Sequence, residues 1–281
     1  MDNRHILFLD SGVGGLPYCR DFISRNPYET VYYLADRENF PYGPRKKDEI
    51  ADILVSLTDK LLKKLNPKMV VIACNTASVA ALESLRKKFP QLPFVGTVPA
   101  IKPAAKSCQK GRIGLLATER TIQDIYDKEN PTALAKRLDA VGDNCEIIGI
   151  AAPELVEFIE QRIDITSRKD KTEIVKYYLD FFSSENIDTL VLGCTHFLYL
   201  LDEFKCEGKH ANIKIFDSLE GIIKRIEFLL SENNSALRAI AEKESKIVRR
   251  LILTGTQMPE QIWQNKAQDL NFDLCLLDNI M

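Results

Sequence analysis

The chain has 281 residues, which is enough for two domains of ordinary size, or one large one, with a sizeable core. Hydrophobic residues make up 45% and charged residues 28%, a composition that excludes disordered, collagen-like and coiled-coil proteins. Because 38 Lys and Arg residues face 40 Asp and Glu residues, the net charge is -2 and no basic excess exists to neutralise a nucleic-acid backbone. We therefore expect no nucleic-acid partner.

Targeting and redox signals in the sequence favour a cytoplasmic protein. The first apolar run, Ile6–Leu9, is too short for the core of a signal peptide, and no run approaches the roughly 20 apolar residues of a membrane span. Seven cysteines form an odd, widely spaced set without a Cys-x-x-Cys pair. The sequence therefore predicts free thiols and no membrane association. Because there are also only three histidines, it predicts no structural zinc site.

Short β-branched runs alternate with amphipathic stretches along the chain, which is typical of α/β proteins with mainly parallel sheets. The predicted strands are His5–Leu9, Thr30–Leu34, Met69–Ala73, Pro93–Thr97, Arg112–Ala117, Glu146–Ile150, Thr189–Gly193 and Lys214–Asp217. The predicted helices are Lys47–Leu65, Ser78–Phe89, Ser167–Ser184 and Leu219–Ser231. The expected fold class is α/β, with helices flanking mainly parallel sheets.

An internal similarity indicates that the fold has two similar halves. The segments Asn66–Thr76 and Asn186–His196 each carry a cysteine, Cys74 or Cys194, eight residues after an Asn that ends a predicted helix. Upstream of each segment lies a further strand that ends in a small polar pair. We therefore expect one α/β domain from residues 1–98 with 210–281, and a second from residues 99–209.

The two crossings between these domains are predicted from local composition. The first is the proline-bearing stretch Val98–Ala105, expected to be extended because proline favours extended connections, and the second lies near Lys209. The tail after Asn234 is expected to return to the first domain.

Cys74 and Cys194 are the candidates for chemistry. Both follow predicted strands at the end where open parallel sheets bind ligands. Thr76 and Thr195 follow them and are suited to capping a helix, where backbone N–H groups and the helix dipole lower a thiol pKa. The alternative is that both thiols are buried for packing alone, as free cysteines often are.

Two matched acid/base thiols favour a reaction that is nearly symmetric about its substrate. Racemisation is such a reaction, because one face of the α-carbon needs a base and the opposite face needs an acid of the same kind. A Gly-rich turn at Gly12, Gly14 and Gly15 follows the first strand and permits close backbone approach to a ligand, but it lacks the Gly-Lys-Ser/Thr ending of a P-loop.

Five motifs, in order, resemble those of the glutamate racemase family: Asp10-Ser-Gly-Val-Gly-Gly-Leu16, Asn39-Phe-Pro-Tyr-Gly43, Ala73-Cys-Asn-Thr-Ala-Ser78, Val95-Gly-Thr-Val-Pro-Ala-Ile-Lys-Pro103 and Leu192-Gly-Cys-Thr-His196. The resemblance extends from about Ile6 to Asp217, and Leu253-Thr-Gly255 is similar to the family's late Thr-Gly turn. It implies a cofactor-independent, metal-independent racemase that interconverts L- and D-glutamate and supplies D-glutamate for peptidoglycan. It also implies two α/β domains with the active site in the cleft between them, often in a homodimer.

The resemblance assigns roles to individual residues. Cys74 would be the base for D-glutamate and Cys194 the base for L-glutamate, with Asp10 and His196 assisting them. Glu160, at the end of a Leu-Val-x-x-Ile-Glu segment, would be a further helper, although a solvated carboxylate on a helix face is an equal alternative. The implied substrate-binding residues are Asp10, Ser11, Pro41, Tyr42, Gly43, Asn75, Thr76, Thr121, Thr195 and His196.

The chain departs from the family pattern at two places. Arg120 stands before Thr121 where the family often has Gly, and Phe197-Leu198 stands where the family usually continues aromatic-Pro. The remaining histidines, His5 and His210, are expected to have no catalytic role. The same holds for the remaining cysteines, which are Cys19, Cys108, Cys145, Cys206 and Cys275.

Three rival functions stay open on sequence alone. A racemase of the same superfamily acting on aspartate or another amino acid would differ only in substrate preference. A non-catalytic binding protein would bind a dicarboxylate or a protein partner without exchanging its α-proton. A thiol hydrolase would need one nucleophilic Cys with a paired His base, and the second matched Cys would then be unexplained.

Overall fold

The computed structural model describes residues 4–126, 145–234 and 247–280. The chain divides into two compact units, residues 1–97 with 219–281 and residues 98–218. Within the described ranges, no helix is both long enough and apolar enough to cross a membrane.

The first unit contains a six-stranded parallel sheet of strand order β10-β9-β2-β1-β3-β4. Its strands are β1 (Ile6–Asp10), β2 (Val31–Ala35), β3 (Met69–Ile72), β4 (Phe94–Gly96), β9 (Arg249–Leu253) and β10 (Asp273–Leu276). Its helices are Leu16–Arg25, Lys47–Lys64, Asn75–Lys88, Leu219–Asn234 and Gln261–Asp269. β1 and β3 are buried along their whole length, as expected for central strands of a sheet covered on both faces.

The second unit contains a four-stranded parallel sheet of strand order β6-β5-β7-β8. Its strands are β5 (Arg112–Ala117), β6 (Glu146–Ala151), β7 (Thr189–Leu192) and β8 (Lys214–Phe216). Its α-helices are Ile101–Ser107, Glu119–Tyr126, Pro153–Arg162, Arg168–Ser184 and Leu201–His210, and a 3-10 helix spans Thr195–Leu200.

The expected α/β class with parallel sheets is confirmed. Each predicted strand coincides with a strand of the structure to within one residue at either end, and all four predicted helices are present. The tail of the chain returns to the first sheet, where β9 pairs with β2 and β10 with β9.

The stretch Val98–Ala105 is not wholly extended, so that expectation was wrong. A helix spans Ile101–Ser107 and includes Pro103 in its first turn. Proline is tolerated there because the N–H groups of the first turn have no partner within the helix.

The second crossing lies beyond its expected position near Lys209. β8 pairs with β7, so the second unit extends to Ser218 and the first resumes at Leu219. A short strand after the helix Leu201–His210 therefore belongs to the second sheet.

Equivalent backbone contacts fix the end of each cysteine-bearing strand. The amide of Ala73 donates to the carbonyl of Leu9 at 2.7 Å in the first unit. The amide of Gly193 donates to the carbonyl of Leu116 at 2.7 Å in the second. In both units the residue immediately before the cysteine is thus anchored to the neighbouring central strand.

Gly15 packs closely against Ala73, at the end of the strand that precedes Cys74. A Cβ atom at Gly15 would lie 2.7 Å from the Ala73 Cβ and 3.0 Å from Asp10 Oδ2. Because backbone and short side chains surround the position, Gly15→Ala is expected to lower the free energy of unfolding by about 1–3 kcal/mol. Chemical denaturation measures this change.

Gly221→Ala is the matched control. An added Cβ at Gly221 meets nothing within 4 Å, and the residue lies in the helix Leu219–Asn234. The control is expected to stabilise the protein by about 0.5–1 kcal/mol, because alanine restricts the unfolded chain and favours helix. Equal effects of the two substitutions would contradict the packing described for Gly15.

Candidate active site

Cys74 lies where β3 gives way to the helix Asn75–Lys88. It is the N-cap residue of that helix, with extended backbone, and its side chain is buried. Thr76 was expected to cap this helix, but it lies inside the first turn. The cysteine itself occupies the capping position because the helix begins directly after the strand, which places the thiol beside the helix N-terminus, where negative charge is favoured.

Cys194 occupies the equivalent position in the second unit. It precedes the 3-10 helix Thr195–Leu200, is buried, and has backbone angles of φ -130° and ψ 138°, against -131° and 123° for Cys74. Thr195 is the first residue of that 3-10 helix and not its cap, which corrects the expectation for this threonine too. Phe197, at the departure from the family pattern, is fully buried within the same turn.

A chain of side chains leads away from Cys194. Its Sγ lies 3.6 Å from Nδ1 of His196, and Nε2 of His196 lies 2.6 Å from Oε1 of Glu160. Glu160 extends from the last turn of the helix Pro153–Arg162, and its side chain is 12% exposed. Glu160 is therefore a partner of a buried imidazole and not a solvated carboxylate on a helix face.

The electrostatic balance at His196 favours its charged form. Burial lowers its pKa, but the hydrogen bonds to Cys194 and Glu160 and the negative charge of both groups outweigh burial, so the pKa of His196 is raised well above 6.5. A protonated His196 donates from Nδ1 toward the sulfur and from Nε2 to the carboxylate. The charged imidazole therefore lies within hydrogen-bonding distance of both the Cys194 sulfur and the Glu160 carboxylate.

Asp10 is the buried carboxylate at the carboxyl end of β1. Its Oδ1 accepts from the hydroxyl of Ser11 at 3.3 Å and from the amide of Gly12 at 3.2 Å. The phenol of Tyr33 donates to the carbonyl of Gly12 at 2.7 Å and accepts from the amide of Gly15 at 3.1 Å. Tyr33, which the sequence analysis did not single out, therefore holds the glycine turn in place.

A second buried carboxylate, Asp36, positions the Asn39–Gly43 motif. It accepts from the hydroxyl of Tyr42 at 2.6 Å and from that of Thr254 at 2.8 Å. Burial, Asp36 itself and the charges of Cys74 and Asp10 raise the pKa of Tyr42, so this phenol stays protonated. Sequence reasoning missed Asp36, although its place directly after β2, at the same sheet edge as Asp10, was a usable signal.

The other residues of this motif are more accessible. Pro41 is exposed and follows a cis peptide bond, and Gly43 is half-buried. Thr254 belongs to the Thr-Gly turn after β9, in which Gly255 has a φ of 85°. That turn, distant in sequence, thus supports the Tyr42 loop through Asp36.

Thr121 lies in the first turn of the helix Glu119–Tyr126, which follows β5 in the second unit. It is fully buried, and its Oγ1 lies 3.1 Å from Oγ1 of Thr118. Arg120, where the family often has Gly, pairs with the buried Asp124 one turn along the same helix at 2.8 Å. Its charge is therefore engaged within this helix.

The site residues fall into one set per unit. In the first unit, polar groups follow β1, β2 and β3 at one sheet edge: Asp10, Ser11, Tyr42, Cys74, Asn75 and Thr76. In the second, the set comprises Thr121, Glu160, Cys194, Thr195 and His196. Apart from that of Glu160, these side chains are buried.

The one group of three possible metal ligands in the described part of the chain lies outside these sets. Cys206, Glu207 and His210 share one helix, with ligand atoms within 4.8 Å of one another. Cys206 and His210 are both exposed.

Comparisons with known proteins define the family. The model of the Asp/Glu/hydantoin racemase family matches residues 20–225. A glutamate racemase from Shewanella sp. strain MR-4 is 35% identical over 259 residues, which cover 92% of this chain and 91% of the relative. The chain belongs to the Asp/Glu/hydantoin racemase family.

Solved structures of racemases share the fold. Glutamate racemase from Escherichia coli, in complex with L-glutamate and the activator UDP-MurNAc-ala, has a TM-score of 0.79 and 29% identity over 97% of both chains. A Bacillus anthracis glutamate racemase has a TM-score of 0.74 and 29% identity over 98% of this chain and 97% of its own. Allantoin racemase from Klebsiella pneumoniae, at 15% identity and a TM-score of 0.51, is similar in fold alone, over 86% of this chain and 95% of its own.

Glu160→Gln tests the electrostatic balance at His196. The amide accepts a hydrogen bond but carries no charge, so the pKa of His196 should fall and its charged form should be less populated beside Cys194. We expect kcat/KM for racemisation to fall by at least about tenfold, and its alkaline limb to move to lower pH. A pH–rate profile of both proteins provides the measurement.

The raised pKa of His196 also predicts how the free energy of unfolding changes with pH. Because folding raises the pKa of His196, the contribution of this residue to stability is complete below the ordinary value of 6.5 and is lost as pH rises through the raised pKa.

Glu157→Gln is the control for Glu160→Gln. Glu157 lies on the exposed side of the same helix, Pro153–Arg162, and its substitution should leave the rate and the pH–rate profile unchanged. An unshifted profile in Glu160→Gln would refute the role given to this carboxylate.

Proposed function

We propose that the protein is a cofactor-independent glutamate racemase that interconverts L- and D-glutamate by α-proton transfer between Cys74 and Cys194. The observation that carries the proposal is the matched placement of the two thiols, each buried and each at the junction of a central parallel strand and a helical turn. The glutamate racemases to which the chain is similar over most of its length support glutamate as the substrate.

The reaction balances within the two thiols and the substrate. With D-glutamate, the Cys74 thiolate takes the α-proton, the electron pair stays on the α-carbon, and the Cys194 thiol delivers its proton to the opposite face. L-glutamate forms and the thiols exchange protonation states, so the reverse reaction starts from the state that the forward one leaves. No net oxidation or reduction occurs.

The helpers of the two thiols differ. His196, whose pKa is raised by its hydrogen bonds to Cys194 and Glu160, assists proton transfer at Cys194. In the first unit, Asp10 assists proton transfer at Cys74. The phenol of Tyr42, in the same unit, stays protonated and therefore adds no charge. The two cysteines thus have different neighbouring groups, although both act as acid and base in the proposed reaction.

The substrate carboxylates require donors, and the proposal assigns them to short polar side chains. Ser11, Asn75, Thr76, Thr121 and Thr195 carry hydroxyl or amide donors and are buried at the strand ends. The loop of Pro41, Tyr42 and Gly43 supplies backbone contacts. A helix N-terminus adds positive potential for an anion next to Cys74.

The proposal includes a cellular role. D-glutamate made by this enzyme supplies peptidoglycan synthesis, and the enzyme works in the cytoplasm as a homodimer. It needs no pyridoxal phosphate, metal ion or nucleotide for chemistry, because the two thiols provide both the acid and the base.

Proton NMR in D₂O with reduced protein tests the proposal. L-glutamate, D-glutamate and L-aspartate are incubated separately without added cofactor, and loss of the α-proton signal is followed. We expect both glutamate enantiomers to exchange and aspartate not to. Exchange of aspartate alone would replace the substrate, and binding of glutamate without exchange would favour a non-catalytic binding protein.

Single cysteine variants complete the test. Cys74→Ala and Cys194→Ala should each abolish racemisation, whereas Cys206→Ala, which removes an exposed thiol, should retain full activity. Full activity in either of the first two variants would exclude the two-thiol mechanism. Absence of racemisation by the unmodified protein, together with hydrolysis that is lost only in Cys194→Ala, would favour the Cys–His arrangement of a thiol hydrolase.

A further inference from the structure

A cationic groove lies at the amino ends of the strands of the first unit, away from the strand ends that carry Asp10 and Cys74. It has a volume of about 510 Å³. Three basic side chains, Arg4, Lys64 and Arg250, line it. No residue of this groove belongs to the racemase site proposed above.

Two of these cations lack a carboxylate partner within the described ranges of the chain. The ammonium of Lys64 donates to the backbone carbonyl of Ile280 at 2.8 Å. The guanidinium of Arg250 lies over the ring of Tyr32, 5.3 Å from its centroid. Their charges are therefore left for an anion, since aromatic and carbonyl contacts do not neutralise them.

His5, which the sequence analysis left without a role, also lines the groove. Its ring stacks on Tyr32 with centroids 4.0 Å apart, and the residue is only 7% exposed. Its buried Nε2 has no hydrogen-bond partner in the described structure. Because buried polar atoms in folded proteins are nearly always hydrogen-bonded, this nitrogen indicates a position for a hydrogen-bonding ligand.

Electrostatics keep this imidazole neutral. Burial, and then the charges of Arg250, Lys68 and Arg4, lower the pKa of His5 to about 4. A neutral imidazole can present an N–H at Nε2 while adding no charge of its own. The groove thus combines cations with one buried neutral donor.

We propose that this groove binds an organic phosphate. The phosphate oxygens accept from Arg4, Lys64 and Arg250, and from Nε2 of His5. Apolar Leu65 and Ile280 contact the organic part of the ligand. A phosphate offers more acceptor oxygens to convergent donors than a carboxylate does, and the groove has room for more than an inorganic ion.

Calorimetric titration of the full chain with glycerol 3-phosphate and with inorganic phosphate tests the proposal. We expect one saturable site, with glycerol 3-phosphate bound at least about threefold more tightly because its carbons bury against the apolar wall. Absence of binding would overturn the proposal. Equal affinity for both probes would contradict the assignment to an organic phosphate.

Charge-neutral variants locate the binding. Lys64→Gln and Arg250→Gln should each weaken glycerol 3-phosphate binding by about tenfold or more. The matched controls are Lys60→Gln, one turn earlier on the same helix, and Arg249→Gln, on the opposite face of β9. Controls within about twofold of the wild type support the groove, and equal weakening in all four would indicate general charge attraction instead.

Nitrogen NMR of the histidine rings provides a readout specific to His5. The chain has three histidines, and His5→Phe, which keeps a ring against Tyr32, identifies the His5 signal by its loss. We expect the Nε2 resonance to shift on addition of glycerol 3-phosphate while the His196 and His210 signals stay in place. An unmoved Nε2 resonance in protein that binds the ligand would exclude His5 from the site.

Discussion

The central physical constraint is that each reactive cysteine lies between the end of a buried parallel strand and the start of a helical turn. The amide of the preceding residue, Ala73 or Gly193, donates a hydrogen bond to the neighbouring strand. This bond fixes the backbone position from which the cysteine side chain extends. Cys74 then occupies the capping position, at the positive end of the helix dipole. The glycine turn, the Tyr42 loop and the His196 chain are all arranged around positions fixed in this way.

The same constraint is met twice, but the electrostatic surroundings of the two thiols are not the same. Cys194 is in contact with an imidazole that Glu160 holds in its charged form. Around Cys74 the strand ends carry the carboxylates Asp10 and Asp36 and a protonated phenol. A racemase must run equally well from either enantiomer, so different helpers at matched thiols are compatible with the reaction only if each thiol can both accept and release a proton.

Sequence patterns located the elements that are buried and regular. The strands around Cys74 and Cys194 were found because continuous β-branched runs indicate central parallel strands. The helix Ile101–Ser107 was missed because Pro103 reads as a breaker, whereas its position in the first turn makes it harmless. β9 and the edge strand β10 were missed as well, since their partly buried patterns are weak and their pairing with β2 and β9 is set by the fold.

Contacts between residues distant in sequence were out of reach of sequence patterns. Thr254 meets Asp36 across more than 200 positions, and Tyr33 reaches back to the glycine turn only because β1 and β2 are neighbours. Glu160 was identified through its motif alone, and its contact with His196 required the packing of a helix against the turn after β7. The groove around His5 likewise combines residues from five separate regions of the chain.

The fate of the α-hydrogen in D₂O tests the two-thiol account most directly. Protiated L-glutamate is racemised, and the early deuterium content of the remaining L-glutamate and of the new D-glutamate is measured separately. Two thiols on opposite faces predict deuterium in the D-glutamate and protium in the remaining L-glutamate, because the delivering thiol has equilibrated with solvent. Protium in the product, or deuterium in both pools from the start, would indicate a single base and contradict the account.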